Sequence, residues 1–382
     1  MRYNIAQVQK IPVGAVCTSI SDTFKGNAQQ VVLVNTSDVL EGNVLNHQYV
    51  PNKNLKGQFK KTFCKGDILF SEIRPQNRRF AFVDFNPCNY IASTKLMVLR
   101  ADQQRILPHY LYYLVTSDLI ITELQMLAET RSGTFPQITF SELSNIIIPV
   151  PPLNVQQGII DIVKCIDDKI ELNQKINESL ERQVQAIFQS WFVNFEPFGG
   201  EKPVTWSNTT LGAITKIASG KRPPMKQPQK TSSASIPLVG ASSIMGFTNA
   251  ALYDEKILIT GRVGTHGVIQ RFSSKCWASD NTLVIISKFY EFVYQVLQTI
   301  DYQNMNRGST QPLITQTDLK NSHIVLPTTE WLQKFEALAG ALMAKYEANR
   351  IENVCLAKLR DELLPKLISG EIDISNDNGG KI

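Results

Sequence analysis

From Ile159 to Ile187 the seam positions advance by alternate steps of four and three: Ile159, Val163, Ile166, Ile170, Asn173, Asn177, Leu180, Val184, Ile187. This is coiled-coil spacing, and it predicts one long helix with a seam along one side. The same steps recur 176 positions later, at Phe335, Ala339, Leu342, Tyr346, Asn349, Asn353, Leu356, Arg360 and Leu363. Each predicted helix runs roughly 35 residues, or about 50 Å. Both seams carry asparagine at the same two steps. A buried seam asparagine weakens a helix pair but fixes its register and partner. The matched asparagines therefore predict mutual pairing, through Ile166, Ile170, Asn173, Asn177 and Leu180 of the first helix. The second contributes Leu342, Tyr346, Asn349, Asn353 and Leu356. Two separate amphipathic helices, each lying on its own domain, are the alternative, which leaves the matched asparagines unexplained.

The chain before each helix follows another pattern. Short β-rich runs such as VVLVNTSDV and ILFSEIR alternate with turn residues, and helical patches such as PHYLYYLVTSDLIITEL (Pro108 to Leu124) lie among them. Here too the chain repeats itself. TFPQITFSELSN (Thr134 to Asn145) corresponds to TQPLITQTDLKN (Thr310 to Asn321) at the same offset of 176. Nine of the 21 positions from Arg131 to Pro151 are identical to their counterparts, including Arg131 with Arg307 and Thr134 with Thr310. Upstream, DILFSEIR resembles KILITGR and YIASTKLMVL resembles WASDNTLVII, in the same order. Ordered similarity of this length predicts an internal duplication.

The expected organisation is α+β: two α/β domains in tandem repeat, separated by two long helices that form an antiparallel coiled coil with pseudo-two-fold symmetry. The boundaries read as a domain over 1–150, a helix over 151–192 and a linker over 193–205. A second domain follows over 206–327, then a helix over 328–370 and a tail over 371–382. Gly199-Gly200 and Pro203 mark the linker, Ser369-Gly370 a C-cap, and Pro365 a kink or early end of the second helix.

The formal charge of +5 becomes informative only when divided. Residues 1–150 carry net +4 and 197–327 net +6, whereas 151–196 and 328–382 carry −3 and −2. Basic domains on acidic helices suit a ligand with phosphates at two separated places. RPQNRR places Arg74, Gln76, Asn77, Arg78 and Arg79 in a loop after a strand. Arginine reads guanine, and Asn or Gln reads adenine, by paired hydrogen bonds in the major groove. SGKRPPMKQPQK offers Lys221 and Arg222, and GRVGTHGVIQR offers Arg262, His266 and Arg271. Lys95 and Lys275 complete the candidate DNA-binding set.

Other chemistry is not indicated. GRVGTHG lacks the GK[ST] ending of a phosphate loop and reads as a turn between strands. There is no HExxH, GxSxG or N/D-P-P-Y/F motif, so no catalytic residue is expected. The six cysteines form no CxxC pair and the four histidines are dispersed, so no metal site is expected. MRYNIAQVQK holds no signal peptide and no apolar run could span a bilayer, so a cytoplasmic protein is expected.

Taken together, the paired P-x-I-T-x-x-x-L-x-N segments, the helix lead-in from Pro149 to Gln157 and the aromatic exit QSWFVNFEPF resemble the DNA-specificity subunit of type I restriction-modification systems. The resemblance spans essentially the whole chain, although the second lead-in, VLPTTEWLQKF, departs from the pattern. It implies two target-recognition domains that each read one half of a bipartite, asymmetric site in double-stranded DNA, with the helices as a ruler. It further implies a non-catalytic scaffold for two adenine-N6 methyltransferase subunits, which two restriction subunits can join. S-adenosylmethionine, ATP and Mg would then belong to the partner subunits, with no cofactor in this chain. A stand-alone duplicated nucleic-acid-binding regulator or scaffold is the alternative.

Overall fold

A computed structural model of the chain describes residues 8–53, 57–130, 136–305 and 313–372. Arg131, Thr134, Arg307, Thr310 and Pro312 of the repeated segment lie outside the described residues. The chain forms two compact units, Met1–Glu171 with Asn353–Ile382, and Leu172–Glu352. The division falls within both long helices, so each unit holds one globular region and one stretch of each helix.

In the first unit, Gln9–Pro12 pairs antiparallel with Ile147–Val150. One four-stranded sheet is ordered Tyr49–Pro51, Gln30–Val34, Tyr90–Ser93, Phe59–Lys61, and its two central strands are parallel. A second is ordered Cys17–Ile20, Leu96–Ala101, Ile68–Ser71, Phe80–Phe82. Leu96 to Leu99 are buried on both sides, because the two faces of this sheet meet different cores. Helices α1 (Pro108–Val115) and α2 (Asp118–Glu129) cover one face, and Ser117 caps α2 by accepting from Ile120 N. A short helix, α3 (Phe140–Asn145), leads to the last strand.

The first long helix, α4 (Leu153–Phe188), starts in this unit. Gln156 is fully buried and fastens its first turn: Oε1 accepts from Leu107 N at 2.8 Å, while Nε2 donates to Arg105 O and Pro151 O. Satisfying both ends of a buried amide removes the cost of burying it. Ile159, Ile160 and Val163 then enter the domain core.

The second unit repeats the plan. Ser207–Thr210 pairs with His323–Leu326. A four-stranded sheet is ordered Lys216–Ser219, Thr282–Ile286, Ile257–Gly261, Gln270–Phe272, and a three-stranded sheet Ile244–Thr248, Ile236–Val239, Trp277–Ala278. Helix α5 (Tyr290–Thr299) and short α6 (Gln316–Lys320) precede the second long helix, α7 (Thr329–Ser369). Leu332, Phe335, Ala339 and Met343 of α7 enter this core, together with Val184 and Phe188 of α4. In the first unit, Leu364 and Leu367 of α7 do the same. Each core thus takes side chains from both helices, and Phe335, Ala339 and Phe188 are the repeat counterparts of Ile159, Val163 and Leu364.

The seam asparagines bond across the helix pair. In the second unit Asn173 Nδ2 donates to Glu352 Oε2 at 2.8 Å, Asn177 Nδ2 to Tyr346 O at 3.2 Å, and Asn349 Nδ2 to Asn177 Oδ1 at 2.9 Å. In the first, Asn353 Nδ2 donates to Ile170 O at 3.3 Å. The pair is antiparallel, as the seam predicts, and Ile166, Leu180, Leu342 and Leu356 lie half-buried or buried along it.

Two local expectations are corrected. Pro365 does not end α7, which continues to Ser369. Its missing N–H costs one backbone bond, while Leu364 and Leu367 on either side are held in the core. The helix ends at Gly370, whose φ of +74° suits a residue without a Cβ. The stretch after α4 is also more ordered than its glycines suggest. It forms a π turn, Gln189–Val193, and a 3-10 turn, Glu196–Phe198. Trp191, Phe192, Phe195 and Phe198 pack against Trp206, Trp331 and Phe335. Among the described residues, no helix is long and apolar enough to cross a membrane.

Candidate nucleic-acid interface

The first basic cluster grows from the buried strand Ile68–Ser71. A 3-10 turn, Pro75–Asn77, is flanked by Arg74 (φ +46°) and Arg78 (φ +50°), both left-handed. Non-glycine residues rarely adopt this conformation, and such residues cluster at functional sites. The turn is held from below. Gln76 N donates to the buried Gln125 Oε1 at 3.2 Å, and Arg74 N to Pro136 O at 3.1 Å. Arg74, Gln76 and Asn77 are exposed. Arg78 is half-exposed and paired with Asp118 at the start of α2. Arg79 differs: its Nη1 donates to Ser37 O and Val39 O, so it braces the neighbouring loop. Lys95 joins the same surface, donating to Gln137 Oε1 at 3.1 Å and lying 3.5 Å from Glu72.

The repeated P-x-I-T segment explains why the cluster sits there. Ile138 N donates to Glu72 O, and Ile73 bridges Gln137. In the second unit Ile314 N donates to Arg262 O, and Val263 bridges Leu313. The following threonine caps a short helix in both: Thr139 pairs with Glu142, and Thr315 with Asp318, as reciprocal capping boxes. These segments are junctions that fix the loop after the central strand.

In the second unit, Lys221, Arg222 and Arg262 converge on the turn Ala278–Thr282. Lys221 N donates to Ala278 O, Arg262 N to Asn281 O, and Arg222 lies 3.9 Å from Asp280. Arg222 is 89% exposed. Gly220 lets the backbone approach, since a Cβ there would lie 2.1 Å from Ser279 O. His266 turns back into its own loop, with Nδ1 3.1 Å from Gly261 O. Lys275 sits apart, 3.9 Å from Asp254.

Arg271 is a correction. Its Nη1 and Nη2 donate to Glu291 Oε2 and Oε1 at 2.7 and 2.8 Å. Its guanidinium also stacks over Tyr294 and Tyr290, 4.5 and 4.9 Å from the ring centres. The side chains of Arg271 and Glu291 are only 20% and 5% exposed. Burial opposes the charge on Arg271, but Glu291 outweighs it and holds the guanidinium above its ordinary value. This arginine fastens α5 to the sheet and is not offered to a ligand.

Sequence reasoning left out the rest of the loop after Lys216–Ser219. Lys226 and Lys230 are exposed there, and Gln227 exchanges backbone bonds with Phe247. Their signal was visible, four basic residues without an acid from Lys221 to Lys230. Lys61, by contrast, is no surface cation: Nζ donates to Thr94 O and Leu96 O, and burial lowers its pKa. Among the described residues no group of metal-binding side chains assembles.

Comparison with known proteins follows the same division. A profile described as the type I restriction modification DNA specificity domain matches residues 18–182 and again 203–337. The type I restriction enzyme HindI specificity subunit of Haemophilus influenzae is 30% identical, over 94% of this chain and 98% of its own length. The MjaIX specificity subunit of Methanocaldococcus jannaschii is 28% identical, over 85% and 82%. The crystal structure of a type I restriction-modification S subunit from M. genitalium shares the fold, with a TM-score of 0.56 at 16% identity and coverage of 94% and 96%. Matched by one profile in each half and by a relative along nearly its whole length, the chain belongs to the type I restriction-modification DNA specificity family.

Proposed function

We propose that each globular region reads one half of a split DNA target and that α4 and α7 set the unread gap between the halves. The observation that carries this reading is the repeated junction. In both units the repeated segment, through Ile138 in one and Ile314 in the other, props the loop after the central strand, beside basic side chains. The propped loops differ, with Arg74, Gln76, Asn77 and Arg78 in one and Arg262, followed by VGTHG, in the other. Different donors read different bases, so the two half-sites differ and the full target is not a palindrome. Helices of 36 and 41 residues are long enough for a spacer when one DNA turn is about 34 Å.

On this reading the chain positions chemistry and performs none. Two methyltransferase subunits carry S-adenosylmethionine and methylate adenine in each half-site. Restriction subunits, which use ATP and Mg, join the same scaffold in the cytoplasm. The domain boundaries follow the repeat: recognition over 1–150 and 206–327, spacer over 151–192 and 328–370.

The test is co-expression with the methyltransferase encoded beside it, followed by mapping adenine methylation by single-molecule sequencing. A split, asymmetric motif that needs both chains is expected. A well-folded complex without a motif would favour a stand-alone binder. Four residues inserted in α4, about one turn, should lengthen the gap and spare both half-sites; an unchanged gap would end the ruler idea.

A further inference from the structure

Asn177 and Asn353 fix which residues face each other, but they do not fix which helices pair. Asn177 donates to Tyr346 O and Asn353 to Ile170 O. Shifting either bond by 176 positions gives the other. Two α4 helices from two copies of the chain could therefore make the bond from Asn177 to Ile170 O twice. Two α7 helices could likewise make the bond from Asn353 to Tyr346 O twice. These two asparagines accept all three pairings, whereas Asn173, bonded to Glu352 in the native pair, would meet Ile176 in an α4–α4 pair.

The seam also breaks the repeat at an ion pair. Arg360 Nη1 donates to Asp167 Oδ1 at 2.9 Å, and Tyr113 Oη donates to Asp167 Oδ2 at 3.1 Å. The Arg360 and Asp167 side chains are 33% and 31% exposed. Their repeat counterparts are Val184 and Met343, both buried in the apolar core of the second unit. The step is ionic in one unit and hydrocarbon in the other.

We propose that the Asp167–Arg360 pair determines partner choice, selecting α7 of the same chain for α4 over a second copy of α4. In an α4–α4 pair of the same register, Asp167 would face Val184 of the other copy. In an α7–α7 pair, Arg360 would face Met343. An α4–α4 pair leaves both Asp167 carboxylates against hydrocarbon with Tyr113 as their one bonded partner. An α7–α7 pair leaves Arg360 only Asp361 of its own helix. A partly buried charge without its partner is penalised far more than a pair is rewarded. Only α4 with α7 satisfies both. A duplicated chain needs such a device, because each half carries a helix able to pair with its own copy. The contact acts against the wrong partner, and that partner is a second molecule of this protein.

Full-length chains carrying two different tags are mixed, unfolded in urea, refolded together and captured on one tag, with masses from light scattering. Wild type should capture little of a second copy. Asp167→Arg and Arg360→Asp each place like charges together within a chain. Mixed, they should refold as a one-to-one dimer, since Arg at 167 meets Asp at 360 of the other copy and the native pair forms in return. The double variant D167R/R360D on one chain should return to self-pairing. Asp167→Met with Arg360→Val makes the step alike in both units, and should raise capture by about tenfold or more. Should the charge variants fold poorly, this apolar pair still decides. The proposal is overturned if D167M/R360V folds with a native melt yet exchanges no more than wild type. It is equally overturned if folded D167R and R360D do not combine.

Discussion

Replacing Arg271 by alanine separates two roles that the sequence alone cannot distinguish. If the arginine were a base reader, its loss would weaken binding and spare stability. The structure predicts the reverse. Glu291, 5% exposed in the folded protein, would lose both its arginine bonds, and two tyrosine rings would lose their cation. Breaking a buried ion pair by removing one partner costs about 3–5 kcal/mol. The stacking, about 0.5–2 kcal/mol for each ring, is partly contained in that figure. At roughly 2–4 °C per kcal/mol for a region of this size, the melt should fall by about 6–20 °C. The four tryptophans, Trp191, Trp206, Trp277 and Trp331, all belong to the second unit. Their fluorescence during urea or thermal unfolding therefore reports the affected region. Arg271→Met with Glu291→Leu, which removes both charges and keeps volume, should recover most of the loss. An unchanged midpoint in Arg271→Ala, with an altered methylation motif, would refute the core assignment and restore Arg271 to the readers.

Four further perturbations test other parts of the account. Arg78→Ala should weaken one half-site by about 1–3 kcal/mol in a binding titration of the assembled complex. Its exposed pair with Asp118 should cost stability less than about 1 kcal/mol, and unchanged affinity would remove it from the readers. Asn173→Leu should leave the methylation motif intact and disturb assembly, seen as mixed oligomers by light scattering; a new motif with intact assembly would contradict this. Thr139→Ala or Thr315→Ala should lose about 0.5–2 kcal/mol of stability through the cap, measured by urea unfolding. Glu336, whose carboxylate accepts from Glu291 N and Phe292 N, is pushed above its ordinary value of 4.5 by burial. The folded state then holds this proton more firmly than the unfolded state. Stability should fall as pH rises from 4.5 through the raised value. In Glu336→Gln that part of the slope should vanish from the pH series of tryptophan midpoints.

The helix seam was legible because its signal is periodic: nine positions in a row obey one spacing, and the asparagines break it identically in both copies. Strand positions followed from short β-rich runs. What escaped was decided by contacts distant in sequence. Nothing in GRVGTHGVIQR shows that Glu291, twenty positions on, turns Arg271 inward. Nothing beside Gly199-Gly200 shows that Trp331 will meet Trp191 and Phe198. Arg79 looked like Arg78, and only the carbonyls of Ser37 and Val39 separate them. The helix-breaking propensity of Pro365 is outweighed by the core contacts of Leu364 and Leu367.

The two copies also differ where each helix joins its domain. In the first, Gln156 ties α4 to Leu107 N, Arg105 O and Pro151 O. Its counterpart is Leu332, which packs in the apolar core instead. The second copy gains a polar tie one turn later, where Glu336 caps the start of α5 and the first copy has Ile160. The amide and the carboxylate exchange places with hydrocarbon, and each domain retains a polar anchor to its helix, Gln156 buried and Glu336 half-buried. Along the seam, by contrast, Asn177 and Asn353 make the same bond to the same position. A helix can be fastened to its domain by any group that is satisfied locally, so that chemistry is free to change. The seam is different, because one substitution alters a contact shared by two helices. Register is therefore the property that the duplication has least freedom to lose, and a spacer that sets a fixed gap requires the same property.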